Sequence, residues 1–285
     1  MTGNGAFDAW LGKIEEASDS VTLQQAEALA ATLDLSEADR EQRDIRSGGK
    51  LPLLWHWVAF TPKAPMRMLG SDGHSERGGF LPPVPLERRM WAGGRLTFTG
   101  DLRIDEPIHR RSEITAIKEK TGGAGQMVFV TVRHTLSGGQ GVAIEEEQDI
   151  VYVAIPDRFT PPPPVAAPAE PSWQEAVAVD TVLLLRYSAV TFNGHRIHYD
   201  LPYATEVEHY PGLVVHGPLQ ATLLIEAAIR HRAGARPSGY QFRGVRPLFH
   251  FEPLTLMGSA IDDGKQAIAA VNGDGNVTMQ ARVTW

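Results

Sequence analysis

Tyr187-Ser188-Ala189-Val190-Thr191-Phe192-Asn193-Gly194-His195-Arg196-Ile197-His198-Tyr199-Asp200 is the stretch on which the reading of this chain turns, and His216-Gly217-Pro218 follows as a second polar island. Between Asn193 and Asp200 it gathers an amide, two imidazoles, a guanidinium and a carboxylate. These are the group types that serve as general acids, general bases and oxyanion donors. The second island stands where a strand-like run, Leu213-Val214-Val215, meets an apolar run from Leu219 to Ile229. A helix starting at that junction presents backbone N–H groups that its own turns leave unpaired.

Downstream, Gly217 to Arg232 carries Leu219, Thr222, Leu223, Glu226, Ala227 and Arg230 at helical spacing, which predicts the long helix of this half. Arg243 to Phe249, Leu254 to Ile261, Lys265 to Asn272 and Val277 to Trp285 then alternate as strands, with turns at Asp262-Asp263-Gly264 and Asn272-Gly273-Asp274-Gly275. With a further strand expected over Trp173 to Leu184, the second half reads as one helix wrapped by an antiparallel sheet. Upstream, Phe159-Thr160-Pro161-Pro162-Pro163-Pro164 and the Ala/Pro run to Pro171 read as a semi-rigid linker and a domain boundary.

The first half repeats the strand series at Gly94 to Leu102, Glu113 to Lys120, Met127 to Leu136 and Ala143 to Ala154, punctuated by Thr121-Gly122-Gly123 and Ser137-Gly138-Gly139. Residues 6 to 34 have apolar side chains at helical spacing (Phe7, Trp10, Leu11, Ile14, then Ala26, Leu29, Ala30, Leu33), which predicts two short helices. Leu51 to Phe60 is apolar enough for a buried strand. Ala64 to Pro85 is crowded with Gly and Pro and reads as a long loop where the second half has its helix. Without any residue-level repeat, the matching order of elements still suggests a degenerate duplication.

Composition narrows the function classes. The chain has 285 residues, 42% hydrophobic and 21% charged, which suits a globular protein of two domains. Its net charge of -7 argues against broad affinity for nucleic acid or anionic membrane. The absence of Cys removes disulfides, thiolate nucleophiles and cysteine-ligated metals. Met1 to Ala9 lacks the basic start and apolar core of a signal peptide, and no stretch approaches about 18 apolar residues. A soluble, cytoplasmic protein without nucleic-acid or membrane partners is expected.

Phe192 to Asp200, together with Tyr210-Pro211-Gly212-Leu213-Val214-Val215-His216-Gly217-Pro218-Leu219-Gln220 and Phe242-Arg243-Gly244-Val245-Arg246-Pro247-Leu248-Phe249, resembles the type 2 hydroxyacyl-thioester dehydratases. These belong to the MaoC-like, R-specific enoyl-CoA hydratase group of double hotdog proteins. Arg89-Met90-Trp91-Ala92-Gly93-Gly94 looks like the first-domain signature of the same family. The resemblance implies an α+β double hotdog: two antiparallel sheets, each around a central helix, with the first helix reduced or lost. Its implied layout is an N-terminal helical segment (1–47), a degenerate hotdog domain (48–160), a Pro-rich linker (161–171) and a catalytic hotdog domain (172–285).

The implied chemistry is reversible, stereospecific addition of water to a 2-enoyl thioester. His198 falls on the family's catalytic His and is expected to handle the water, since an imidazole with an ordinary pKa of about 6.5 can work in both directions. Gly217 falls on the position whose backbone N–H stabilises the oxyanion at a helix N-terminus. The sequence departs from many R-specific members at Asn193, where an Asp shares the water. An amide orients water but takes up no proton at neutral pH. Either His198 then performs both transfers, or Asp200 or His195 assists.

The other polar groups are weighed against plainer roles. His195 and His216 stand evenly between substrate contacts and turn-holding hydrogen bonds. Arg196 either fixes its loop or meets a substrate carboxylate, as Arg89 and Arg67 could. One of Arg243 and Arg246 is a candidate for coenzyme A phosphates, and Trp91 with Met66, Met68, Met90, Phe80 and Leu81 for an acyl pocket. Asp72, His74 and Glu76 alternate like metal ligands, but without a second ligand cluster they read as solvated side chains, and no metal is expected. Family members that this chain resembles act on short branched dicarboxylic acyl-CoAs of the itaconyl-CoA or mesaconyl-C4-CoA kind. Such a reaction needs no cofactor beyond the coenzyme A of the substrate, and a homodimer is the family expectation. The alternatives are a 3-hydroxyacyl-carrier-protein dehydratase of fatty-acid synthesis, a hotdog thioesterase and a non-catalytic acyl-CoA binding module.

Overall fold

A computed structural model describes residues 6–122 and 125–285; the Thr121-Gly122-Gly123 turn and the Met1–Ala9 stretch lie partly outside them. Strands β1 (Ile14–Asp19), β2 (Arg88–Phe98), β3 (Ile108–Gly122), β4 (Gly125–Gly138) and β5 (Gly141–Val153) come from the first half. The second half gives β6 (Trp173–Val177), β7 (Gly239–Gly244), β8 (Leu254–Gly258), β9 (Lys265–Asn272) and β10 (Val277–Thr284). They form one antiparallel, ten-stranded sheet in the order β1-β3-β4-β5-β2-β7-β10-β9-β8-β6. Read outward from its centre, β2-β5-β4-β3-β1 on one side mirrors β7-β10-β9-β8-β6 on the other. The repeated order of elements, without a counterpart in the residues, is plain in topology.

Two separate sheets do not form. Strand β2 pairs with β7 from Gly93↔Arg243 to Thr97↔Gly239, fusing the halves. Each strand alone would leave a row of buried, unpaired N–H and C=O groups at the middle of the molecule, and pairing satisfies both.

Helix α4 (Gly217–Arg230) begins with Pro218, whose missing N–H costs nothing in a first turn. It is buried from Leu219 through Ala228 and packs against β2, β7, β8, β9 and β10. Leu254, Leu256, Ile268, Ala270, Ala281 and Val283 alternate inward to meet it. The first half has only the 3-10 turn Trp55–Val58 over β5: His56 Nε2 and the Trp57 indole lie 2.9 Å from opposite oxygens of buried Glu146. Helix α1 (Leu23–Thr32) instead packs on α3 (Thr181–Val190).

Four stretches differ from their periodicity. Residues 14–19, expected to be helical, form the edge strand β1 and belong to the first half of the sheet. That strand is largely exposed, so it carries no inward apolar alternation to reveal it. Leu51 to Phe60 is buried but is a turn, with Leu54 and Phe60 at positive φ. The strand expected over Trp173–Leu184 stops at Val177, and Asp180 caps α3 by accepting from Leu183 N–H at 2.8 Å. Strand β7 lies upstream of the expected Arg243–Phe249 because Tyr240 and Phe242 supply the inward face, while Pro247 lacks a ladder donor. The linker lies along the outer sheet face, where Val165 and Ala167 pack on Ala269, Val271 and Val277. Among the described residues no helix is long and apolar enough to cross a membrane.

The junction predicts its own weak point. A Cβ at Gly93 would stand 2.5 Å from the Phe242 carbonyl oxygen, and that backbone is fixed by the β2–β7 ladder. Gly93→Ala is expected to cost about 1–3 kcal/mol, the range of overpacking, read as a lower melting temperature; an unchanged melt would contradict this account of the junction.

Candidate active site

Helix α3 delivers the first island. At its end Asn193 N–H donates to Ser188 O at 2.8 Å, and Asn193 Oδ1 accepts from His195 N–H at 3.0 Å, an Asx turn that starts the 3-10 turn Arg196–His198. His198 is thereby buried with Nδ1 at 2.7 Å from Val214 O. A carbonyl can only accept, so the ring proton sits on Nδ1 and Nε2 keeps its lone pair. Asn193's acceptor oxygen is engaged with the backbone.

His198 stacks on His216, centroids 3.6 Å apart at 20°. His216 is the N-cap of α4 and places Nε2 at 2.8 Å from Ser188 Oγ, while its Nδ1 has no partner among the described residues. Burial pushes the His198 pKa well below its usual value, with the His216 and His195 charges adding to the shift. Burial, then His195, brings His216 down to about 3. The stack is neutral at neutral pH because two protonated rings in contact, out of water, repel.

Gly217 follows at the start of α4. Its N–H has no acceptor among the described residues, as the first turn of a helix requires. A Cβ there would come no nearer than 3.8 Å to Trp91 O and 3.9 Å to Met279, so packing does not demand glycine. The Trp91 indole donates to Gly93 O at 2.9 Å, and its ring meets Trp57 (4.9 Å) and Phe242 (5.8 Å) edge to face.

Six candidates are committed elsewhere or stand apart. Arg196 donates to Asp200 Oδ2 from Nε (2.9 Å) and Nη2 (2.7 Å), reaches Ser71 O, and lies over the Tyr203 ring. It is a loop clamp. Asp200, held below the usual carboxylate range by that Arg196 hydrogen bond, is equally committed. Arg243 stands on the opposite sheet face from Phe242 and α4, beside Gln241 and Arg282, away from His198. Met66, Met68 and Arg67 are exposed and line no core.

Sequence reasoning missed two contributions. The first is the loop around Asp72, from the half without the long helix. A bridge between Leu69 and Ser75 closes it, Arg196 N–H donates to Asp72 O at 2.9 Å, and a Cβ at Gly73 would sit 1.9 Å from Gly194 O. Gly73 also has φ +86°, so glycine is required twice over. Asp72 Oδ2 and His74 Nδ1 are 2.9 Å apart, and the His74 ring lies 4.2 Å from that of His195, itself 5.3 Å from His198. Glu76 is exposed and outside the cluster. The second is buried Glu208, which accepts from Arg88 Nε at 2.6 Å and lies 3.9 Å from His195 Nε2. Burial would raise the Glu208 pKa, but His195 and Arg88 win and hold it low. Only the alternation of Asp72 and His74 was visible in sequence; their meeting with His195 is a long-range event.

Arg89 is half-buried, and no carboxylate lies within ion-pair distance of it among the described residues. Its charge helps burial and His195 bring His74 down to about 4, against the Asp72 hydrogen bond.

A sequence model of the type 2 hydroxyacyl-thioester dehydratases matches residues 54–250, which span both halves of this site. The chain belongs to this family. The dehydratase is 44% identical over 273 residues to the mesaconyl-C4-CoA hydratase of Chloroflexus aurantiacus, covering 92% of this chain and 95% of the relative. Membership makes it an enzyme of hydration and dehydration of acyl thioesters. Its fold is shared with a MaoC-like dehydratase from Phytophthora capsici (TM-score 0.74, 13% identity, 99% and 98% of the two chains). It is also shared with a Mycobacterium tuberculosis protein described as a double hotdog fold (TM-score 0.59, 14% identity, 99% and 98%). The dehydratase is therefore an α+β double hotdog, its two units joined in one sheet.

Burial of its histidines sets the acid limb of stability. Desolvation first, in both cases, brings His134 to about 4 and His216 to about 3, against an ordinary value of 6.5. Below pH 6.5 the unfolded chain takes up protons that the folded one refuses, so stability is complete above that pH and falls as pH drops toward the folded values. Each such histidine costs about 1.4 kcal/mol per pH unit in the window. The melting temperature is expected to fall steadily from pH 7 to 5; a flat profile would show that these rings are solvated.

Proposed function

We propose that the protein adds water reversibly to the double bond of a short branched dicarboxylic enoyl-CoA of the mesaconyl-C4-CoA or itaconyl-CoA kind. The observation that carries this reading is the placement of His198: Nδ1 is tied to the Val214 carbonyl, and the ring stacks on the residue preceding Gly217 at the N-terminus of α4. In hydration, the water oxygen bonds to C3 as His198 Nε2 takes one water proton. The π pair moves through C2 to the thioester oxygen, where the Gly217 N–H and the helix dipole meet the developing charge. His198 Nε2 then returns the proton to C2, and dehydration is the reverse. An imidazole held neutral has its Nε2 lone pair free to accept the water proton.

A dicarboxylic acyl group brings a second anion, and Arg89 is a half-buried guanidinium beside Tyr152, with no carboxylate at ion-pair distance among the described residues and a charge that reaches the His74 ring. Arg196 is less suited, since Asp200 occupies it. The name of the 44% identical relative supports the same substrate class. The reading requires no resident cofactor, since coenzyme A enters with the substrate, and places the enzyme in the cytoplasm. A homodimer is part of it: exposed Val182, Leu185, Phe192, Leu201 and Val207 cluster in α3 and the loops that follow, an apolar surface suited to a second copy. Light scattering at the mass of a single chain would remove that part.

Loss of enoyl-thioester absorbance tests the reaction. Wild-type protein is expected to consume mesaconyl-C4-CoA or itaconyl-CoA; if these and crotonyl-CoA all stay unhydrated, the reading fails. His198→Ala is expected to lower kcat about 10²–10⁴-fold, the range of general acid–base catalysis. Gly217→Ala should fold normally yet lose activity, because its methyl group enters space the packing leaves open. Arg89→Gln should cost the dicarboxylic substrates far more kcat/KM than crotonyl-CoA.

A further inference from the structure

Two lone pairs and two protons have to be managed on the attacking water, and His198 supplies only one acceptor. His198 Nε2 takes the proton that ends on C2. The other hydrogen, kept in the product hydroxyl, needs an acceptor so that the oxygen lone pair faces C3. Asn193 has one of its two Oδ1 lone pairs engaged by the His195 N–H at 3.0 Å, and its nitrogen only donates.

We propose that His74, oriented by Asp72, is the second catalytic group of this site, accepting a hydrogen bond from the reacting water. The inference rests on the hydratase reading above. Asp72 faces His74 with both oxygens: Oδ1 accepts the His74 backbone N–H at 2.9 Å and Oδ2 the ring Nδ1–H at 2.9 Å. The proton is thus fixed on Nδ1, and Nε2 carries the lone pair. Ring nitrogens of His74 and His195 and an oxygen of Asp72 all lie within 4.8 Å of one another, so these polar groups border one shared space. His195 stands between, with its ring edge-on to His198 at 5.3 Å. His74 reaches this place by rigid means: the Arg196 N–H to Asp72 O bond and the Gly73–Gly194 backbone contact lock the loop to the island whatever the side chain at 74. No proton is transferred to His74 in the step. It holds the hydroxyl hydrogen while the O–C3 bond forms and the other proton goes to His198 and then to C2.

The same three side chains have the grouping of a two-histidine, one-carboxylate cation site. The hydrogen-bonding role is favoured because Nδ1 of His74 is already bonded to Asp72, the charge of Arg89 disfavours a further cation at His74, and Arg88 neutralises the nearby Glu208.

The test uses the full chain and whichever enoyl-CoA the wild type hydrates. His74→Ala is expected to lower kcat about 10²-fold with KM within about threefold, and added imidazole to restore part of the rate. Asp72→Asn is the second probe. An amide has one oxygen for two donors, so its nitrogen must face either the backbone N–H or Nδ1; in the latter case the ring proton moves to Nε2 and the acceptor is lost. A kcat loss of about tenfold or more with an unchanged melting temperature is expected. Wild-type kcat in both variants overturns the proposal, as does a loss confined to KM. Stoichiometric Zn2+ bound to wild type but not to His74→Ala, with activity removed by chelator, also overturns it in favour of a metal site. A wild type inactive on every enoyl-CoA would sink the hydratase reading itself, which is a different result from active wild type with indifferent variants.

Discussion

The antiparallel pairing of β2 with β7 is the constraint on which the rest depends. It turns two five-strand units into one sheet and so fixes the loops of the first half over the helix of the second. Trp91 sits in β2 beside that seam, and its carbonyl is the nearest neighbour of the space at Gly217. The β2 residue Arg88, buried with Glu208, ties the same strand to the segment between the two islands. A shift of one residue in this register would turn each of these side chains to the other face. Gly93 and Gly94 are the residues that let the two backbones meet, since a Cβ at either would press on Phe242 or Glu147.

Electrostatics then decides what the assembled site can do. Four imidazoles follow one another in contact, His74, His195, His198 and His216, at 4.2, 5.3 and 3.6 Å. Packed so closely and so far from water, they cannot all bind protons; burial acts before any neighbour on three of them. The outcome is that His74, His198 and His216 favour the neutral form, and at two of them what Nδ1 meets assigns the tautomer: a backbone carbonyl at His198, a carboxylate at His74. A neutral, oriented imidazole costs nothing to deprotonate before it can act as a base. The two acids that flank the row, Asp72 and Glu208, are kept ionised by His74 and by His195 with Arg88.

How much of this was legible in the sequence depends on the range of the interaction. The second half was readable because its signals are local: alternation in Leu254–Gly258 and Lys265–Asn272, and an apolar run behind Pro218 for α4. The resemblance pointed to His198 and Gly217, and the fold brings the two together, with His198 stacked on His216 at the N-terminus of α4. Strand β1 was illegible because an exposed edge strand has no buried face to print a period, and Phe7, Trp10 and Ile14 mimic a helical one. Arg196 was ambiguous for a different reason: a guanidinium four residues before a carboxylate is either a clamp or a binding group, and only the distances to Asp200 separate them. Asp72 and His74 looked solvated because their partner, His195, lies more than a hundred residues further along the chain.

The half that lost its helix is therefore not vestigial. A helix over β5 would occupy the place where the Trp55–Val58 turn sets Trp57 against Trp91 and Phe242. Its replacement by a turn and a long loop frees chain, and that chain is spent on reaching the other unit: Ser71 and Asp72 carbonyls on Arg196, Gly73 on Gly194, His74 on His195. The mirrored strand order explains why the loop can reach, because the β2–β7 seam sets the connection after β1 next to the connection after β6. One connection carries a long helix with Gly217 at its N-terminus, and the other carries a turn and a loop whose Asp72 and His74 pack against the island of the first.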